Sequence, residues 1–202
     1  MAHEEVTTTS PPAPATQMDA IEALLTRTSV GALKEPAPPR EVLELALRCA
    51  IAAPDHGRLM PARFIVIEGE GRNRFGKICA DALRHRQPDA APDLLDRETK
   101  KPLRAPMIIM AICSPKKDKI PEIEQMLSVG AAVENLLLAL HAKGFGAMWK
   151  TGDAVYDQNV KLALGLSASE HIVGLVYTGT PATAARRIER PYPEAAVRHM
   201  SS

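Results

Sequence analysis

The stretch from Gln125 to Lys143 is the strongest constraint on how this chain can fold. It reads as a helix with Val, Ala and Leu around almost its whole circumference. Such a helix cannot lie on a surface with one face in water, and must be buried on more than one side. Its small residues, Gly130, Ala131, Ala132, Ala139 and Ala142, allow close approach of another helix or of a planar ring, internal packing being the plainer explanation. Gly144-Phe145-Gly146 caps the helix and feeds a short strand, Ala147 to Lys150. Pro106 introduces a second apolar stretch, Met107 to Cys113, which reads as a strand.

Around these two elements the pattern is irregular. Met18 to Arg27 puts Ile21, Leu24 and Leu25 on one helical face, and Arg40 to Ala53 repeats that spacing until Pro54 ends it. Phe64 to Glu68 reads as a strand, Arg72 to Arg86 as a helix, Asn159 to Leu164 as a helix, and Ile172 to Thr178 as a strand running into Gly179-Thr180-Pro181. Residues 87–104 are charged, bear prolines and show little periodicity, which predicts a mobile solvent-facing segment that could act as a lid. No GxGxxG or GxxxxGK[ST] follows a strand, so dinucleotide and P-loop folds are disfavoured and the class is α+β. Residues 1–17, rich in Thr, Pro and Ala, are expected to be a flexible leader. Residues 18–202 then form a single domain, because 202 residues with 46% hydrophobic content suit one core. The tail from Ala182 to Ser202 has no core of its own, as tails that dock on a partner subunit often do not.

Composition excludes several roles. A net charge of +1, dispersed Lys and Arg and only 3% aromatic residues give no basic stripe for nucleic acid and no reason to expect a membrane surface as partner. No apolar run approaches the roughly 20 residues needed to span a bilayer. Neither a charged n-region nor an apolar h-region precedes Arg27, so no secretory signal is expected. Cys49, Cys79 and Cys113 are widely spaced in apolar segments, which fits a reducing cytoplasm better than a disulfide scaffold. The histidines are too scattered to suggest a metal site.

Three polar clusters remain as candidates for chemistry. Arg27-Thr28-Ser29 offers a guanidinium and two hydroxyls that suit a phosphate, although a helix-terminal Arg followed by a polar turn is the commoner meaning of such a run. Ala53-Pro54-Asp55-His56-Gly57-Arg58 presents His56 and Arg58 at the mouth of a strand, where a lone histidine is more often solvated than a ligand. Trp149-Lys150-Thr151, between glycines, offers a flat apolar surface, a cation and a hydroxyl, and suits a planar ligand as well as it suits an edge strand with one core Trp. No Ser, Cys or paired-carboxylate catalytic arrangement appears. An enzyme of this sequence would therefore rely on a bound cofactor for the reaction, with no catalytic side chain.

In order and spacing these clusters resemble the flavin-dependent nitroreductase family, particularly its small bacterial members. The resemblance runs from Met18 to about Pro181 and rests on MDAIEALLTRTSVGAL, APDHGRLMPARFIVIEGEGRNRF, RAPMIIMAICSP, IEQMLSVGAAVENLLLALHAKGFGAMWKTG and HIVGLVYTGTP. It implies a nitroreductase-like sandwich, a mostly antiparallel sheet flanked by helices, in an intertwined homodimer with two FMN molecules at the interface. By position, Arg27, Thr28 and Ser29 match the family's Arg-Arg-Ser on FMN phosphate and ribityl. His56 matches a residue that reaches the flavin, and Trp149, Lys150 and Thr151 match a Trp-Arg-Ser stretch on its other side, Lys150 on phosphate. NADH or NADPH would be co-substrate, and a nitroaromatic, quinone or similar acceptor would take the electrons. An alternative is a flavin-binding or flavin-handling protein with little reductase turnover. Thr28, Ala32, Met60 and Ala62 depart from the family pattern, removing cationic or polar contacts and one aromatic, and bear on FMN affinity and substrate preference.

Overall fold

The computed structural model describes residues 18–184 and 188–200, so the expected leader over 1–17, and parts of the expected tail, lie outside the described residues. In chain order the elements are α1 (Ala20–Thr26), β1 (Leu33–Lys34), α2 (Arg40–Ile51), β2 (Ala62–Glu68), α3 (Glu70–Arg86), α4 (Pro92–Lys100), β3 (Met107–Cys113), α5 (Glu122–Ala142), β4 (Gly146–Lys150), α6 (Asp153–Tyr156), α7 (Gln158–Ala163) and β5 (His171–Pro181). Short 3-10 turns lie at His56–Arg58, Lys101–Arg104 and Glu194–Ala196.

The five strands form one antiparallel sheet in which β3 and β5 are central. β2 lies outside β3, while β4 and the short β1 pair with successive parts of β5. All seven residues of β3 are buried. Met107, Ile109, Ala111 and Cys113 face one side with α2 and α5; Ile108, Met110 and Ile112 face the other with α3 and the α6–α7 region. Burial on both faces explains why this strand reads as an unbroken apolar run. Each large side chain so buried contributes about 1.5–3 kcal/mol.

α5 packs against the sheet and α2 through Val129, Ala132, Val133, Leu136, Leu137 and Leu140. Asn135 Nδ2 donates to the Cys49 carbonyl at 3.1 Å, tying it further to α2. The helix is long and apolar enough to cross a bilayer by length and composition, contrary to the expectation from the sequence. Its packed face makes it a core helix of this fold. Gly144, at φ +80°, ends it in a Schellman arrangement: Phe145 N–H donates to Leu140 O at 3.0 Å and Gly144 N–H to His141 O at 2.9 Å. The chain is thereby turned directly into β4.

Residues 87–104 are not the irregular lid their composition predicts. They form α4 and the 3-10 turn Lys101–Arg104, packed on α3. Pro92 starts α4 at a position where its missing N–H costs nothing. Gly76 lets the two helices touch, since a side chain there would collide with the Thr99 carbonyl. Pro102 is buried beneath the turn, and Lys101 pairs with Glu98.

Candidate functional site

Asp19 caps α1 by accepting from the Ile21 and Glu22 N–H groups at 2.7 and 3.1 Å, and so fixes where the helix delivers Arg27. The Arg27 guanidinium donates through Nε to Glu134 Oε1 at 3.1 Å, from a side chain only 20% exposed. Glu134 comes from the middle of α5. Thr28 is buried and Ser29 exposed. Arg27 and Thr28 line a pocket of about 230 Å³ with Val30, Leu137, His141 and the Gly144–Ala147 turn. Thr26 Oγ1 donates to Glu22 O at 2.6 Å, so the 2.9 Å contact between that oxygen and His141 is donated by His141 Nε2–H. Burial, reinforced by the Arg27 charge, holds the His141 pKa below the usual histidine value.

The first and third clusters meet along the outer edge of β4. Val30 N–H donates to Ala147 O at 2.9 Å. Beyond it, Gly31 lies beside the Met148 sulfur and Leu33 packs into the cluster on the α3 side. The segment following Arg27 thus crosses from one face of the sheet to the other. Strand alternation divides the third cluster between those faces. Trp149, opposite Val176, lies on the α5 side; its Nε1 donates to Val173 O at 3.4 Å and its indole covers Gly174, where any side chain would collide with it. Trp149 stays 37% exposed. Lys150, opposite Leu175, lies on the α3 side, its ammonium 4.8 Å from the centre of the Tyr177 ring. Burial, and after it the charge of Arg104, lowers the Lys150 pKa. Thr151 is exposed next to Gly152, whose φ of +133° suits glycine alone.

The second cluster stands apart within the chain. His56 Nδ1 contacts Glu124 Oε2 at 2.7 Å, in the first turn of α5. At ~1.5 Å rise per residue, Glu124 and the Arg27 partner Glu134 lie roughly 15 Å apart along the helix. The His56 loop is strained: Arg58 and Met60 hold φ of 55° and 49°, left-handed values that cost a non-glycine residue of order 1–2 kcal/mol each. Asp55 secures the turn by accepting from Met60 N–H at 2.7 Å. Asp55, Met60, Pro61 and Ala62 line a second pocket, of about 210 Å³, with Ser128 and Ala132 of α5. The tail also meets the first cluster: Arg190 Nη2 donates to the Arg27 carbonyl at 3.0 Å, so this part of the tail touches its own chain.

Glu134 and His141 were not singled out from the sequence. Glu134 had a legible signal, as a lone acid inside the apolar run Gly130 to Leu140. His141 had none, because its role comes from contact with α1.

Comparison with known proteins gives a consistent result. Residues 24–180 match the model of the Nitroreductase family. The "Putative NAD(P)H nitroreductase YdjA" of Escherichia coli K12 is 40% identical over 166 residues, 81% of this chain and 89% of that protein. A nitroreductase-like family protein of Bacillus cereus superposes with a TM-score of 0.79 at 21% identity, over 94% of this chain and 100% of that one. A "putative nitroreductase" of Desulfovibrio desulfuricans, solved in complex with FMN, superposes with a TM-score of 0.68 at 24% identity, over 96% of this chain and 100% of that one.

Proposed function

The chain belongs to the nitroreductase family, and from that premise we propose that it is an FMN-dependent NAD(P)H oxidoreductase acting on a nitroaromatic, quinone or similar small acceptor. The observation that carries this reading is the Val30–Ala147 hydrogen bond, which sets Arg27-Thr28-Ser29 alongside the strand bearing Trp149-Lys150-Thr151.

The donor set fits a phosphorylated planar ring. Arg27 and Lys150 supply positive charge, Ser29 and Thr151 exposed hydroxyls, and Trp149 a partly exposed indole above a sheet edge. When bound, FMN would supply the hydride-accepting and hydride-donating chemistry. The protein's own residues do the positioning. Arg27, held by Glu134, is fixed in direction before any phosphate arrives, and the buried Thr28 lines the same pocket. The packing of Trp149 on Gly174 leaves the indole little freedom to tilt. Neither a side-chain acid nor a side-chain base is required of this arrangement.

One chain offers only part of the site. The pocket beside Arg27, at about 230 Å³, falls below the range of roughly 300–1,000 Å³ that encloses a drug-sized ligand, and His56 lies well away from it. A homodimer in which His56 of one copy approaches the Arg27 and Trp149 side of the other would complete it. The absorption spectrum of the purified protein, before and after anaerobic NADH or NADPH, tests the reading. A yellow protein bleached by either nicotinamide supports it. A yellow protein bleached by neither indicates flavin handling without turnover. A protein that stays colourless after FMN is added overturns both.

A further inference from the structure

β4 stops short of the full length of its neighbour. Its ladder with β5 ends at Lys150, opposite Leu175, and the chain turns away through Gly152 into α6. The first residues of β5, from His171 onward, therefore pair with β3 alone. Around His171, Ile172 and Val173 lies a cavity of about 430 Å³, walled also by Val155 and Tyr156 of α6 and Lys161 of α7. Small-molecule sites occupy roughly 300–1,000 Å³, a range this cavity enters and the Arg27 pocket does not.

Much of the wall is apolar: Val155 and Ile172 are buried, and the Tyr156 ring stands 72% exposed. Lys161 is the exception, a cation only 4% exposed. Its ammonium carries three donors, of which one goes to the Ala168 carbonyl at 3.0 Å. That bond, with Leu166 N–H donating to Lys161 O at 2.9 Å, closes the connection between α7 and β5. A neutral donor could close it equally well, whereas a buried charge is costly unless it is paired. The carboxylates of the neighbouring segments are engaged elsewhere, Asp157 with Arg86, Glu170 with Arg63 and Glu122 with His171. Among the described residues Lys161 forms no ion pair. Its counter-charge is left to come from outside the chain.

We propose that this cavity binds an aromatic monocarboxylate, the carboxylate on Lys161 and the ring against Val155, Ile172 and Tyr156. A bare anion would leave the apolar wall uncovered, and a neutral ring would leave the buried ammonium unanswered. The site is separate from the Arg27 pocket, with which it shares no residue, and the proposal does not depend on the flavin reading. It does touch the third cluster, because the Val173 carbonyl in its wall accepts from Trp149 Nε1 at 3.4 Å. Trp149 is the only tryptophan in the chain, so an occupant should change the intrinsic fluorescence.

Calorimetric titration of the purified protein with phenylacetate, its neutral isostere phenylacetamide and inorganic phosphate tests this. Wild type is compared with Lys161→Met, which keeps the stem and removes the charge, and with Tyr156→Ala, which alters an exposed ring and leaves α7 intact. Wild type is expected to bind phenylacetate about tenfold tighter than the amide or phosphate, the difference typical of one charge-assisted contact, and to change its tryptophan fluorescence. Lys161→Met should lose the preference for the acid, while Tyr156→Ala should weaken acid and amide by the same factor. Equal affinity of wild type for acid and amide, or no binding of either, overturns the proposal. So does phosphate binding as tightly as phenylacetate. Phenylacetate that shifts a flavin absorption band and binds both variants as it binds wild type sits on the cofactor, which overturns the site while upholding the flavin. Should Lys161→Met fail to fold, unchanged phenylacetate affinity in Tyr156→Ala overturns the site by itself.

Discussion

His141 ties the Arg27 pocket to the stability of α1, and its protonation should be felt there. Burial first, and the Arg27 guanidinium second, favour its neutral form in the folded chain, against a smaller opposite effect of Glu22. Because the folded pKa lies below the ordinary value of about 6.5, the unfolded chain takes up a proton first as pH falls. The stability that His141 contributes is thus complete above that value and is lost progressively on acidification below it. Urea unfolding at pH 7.5 and 5.5 should show a larger loss for wild type than for His141→Gln, which can still donate to Thr26; an equal or smaller loss in wild type would refute the assignment. The example also shows what was legible at this scale. Arg27, His56 and Trp149 stand out by residue type and position. Glu134 as the holder of Arg27 and His141 beside it are set by tertiary contact between distant segments. Within Trp149-Lys150-Thr151, alternation along a strand is enough to part Lys150 from Trp149, but which face each takes is set by the register with β5.

Single elements were legible where burial imposes a pattern on them. Met107–Cys113 matches its expected limits because a strand covered on both faces needs an unbroken apolar run. α5 begins only a few residues earlier than its apolar pattern suggests. The two-residue β1 carries no periodicity and exists only through its pairing with Thr180 and Pro181. α4 escaped notice for a different reason. Its outer face is charged, and its inner face offers only Leu94 and Leu95, half-buried, beside the close backbone contact at Gly76, which is too short an apolar pattern to mark a helix among prolines and charges. This makes Gly76 the residue on which the α3–α4 pair depends. A methyl group there would press on the Thr99 carbonyl carbon and Cα, at 2.9 and 3.3 Å, as well as on its oxygen, and backbone cannot swing aside as a long side chain can. Gly76→Ala is expected to destabilise the fold by about 1–3 kcal/mol through overpacking. Amide exchange should lose protection over residues 92–104 before the sheet does. Protection lost evenly across the chain, or not at all, would show that α4 is held by something else.

At the scale of the whole molecule, the described chain leaves apolar surface on the side opposite the packed face of α5. Ile21, Leu24 and Leu25 of α1, Ile51 of α2, and Ile123 and Leu127 of α5 are all more than half exposed. An open groove of about 480 Å³ runs between α1, α2 and α5, lined by Leu24, Cys49, Ala52, Leu138 and Ala139 among others. The apolar circumference of α5 is therefore only half explained by the fold of one chain, whose sheet and α2 cover one side of it. A second copy seated on this face would cover the rest and, by the reading proposed above, bring its His56 to the incomplete site. The strained Met60 turn would then be stabilised by the partner, which gives its left-handed backbone a reason to persist. Leu127→Glu separates assembly from folding, because Leu127 is 66% exposed in the single chain and can take a charge there at little cost. Burying that carboxylate in a closed apolar interface would cost about 3 kcal/mol or more, about a hundredfold in the association constant. Sedimentation velocity should find wild type as a dimer and Leu127→Glu largely as a folded monomer. If the site is shared, the monomer should release its FMN on gel filtration while its circular dichroism stays native. A folded monomer that retains FMN would show that one chain holds the cofactor alone, and that the apolar face of α5 serves some purpose other than completing the site.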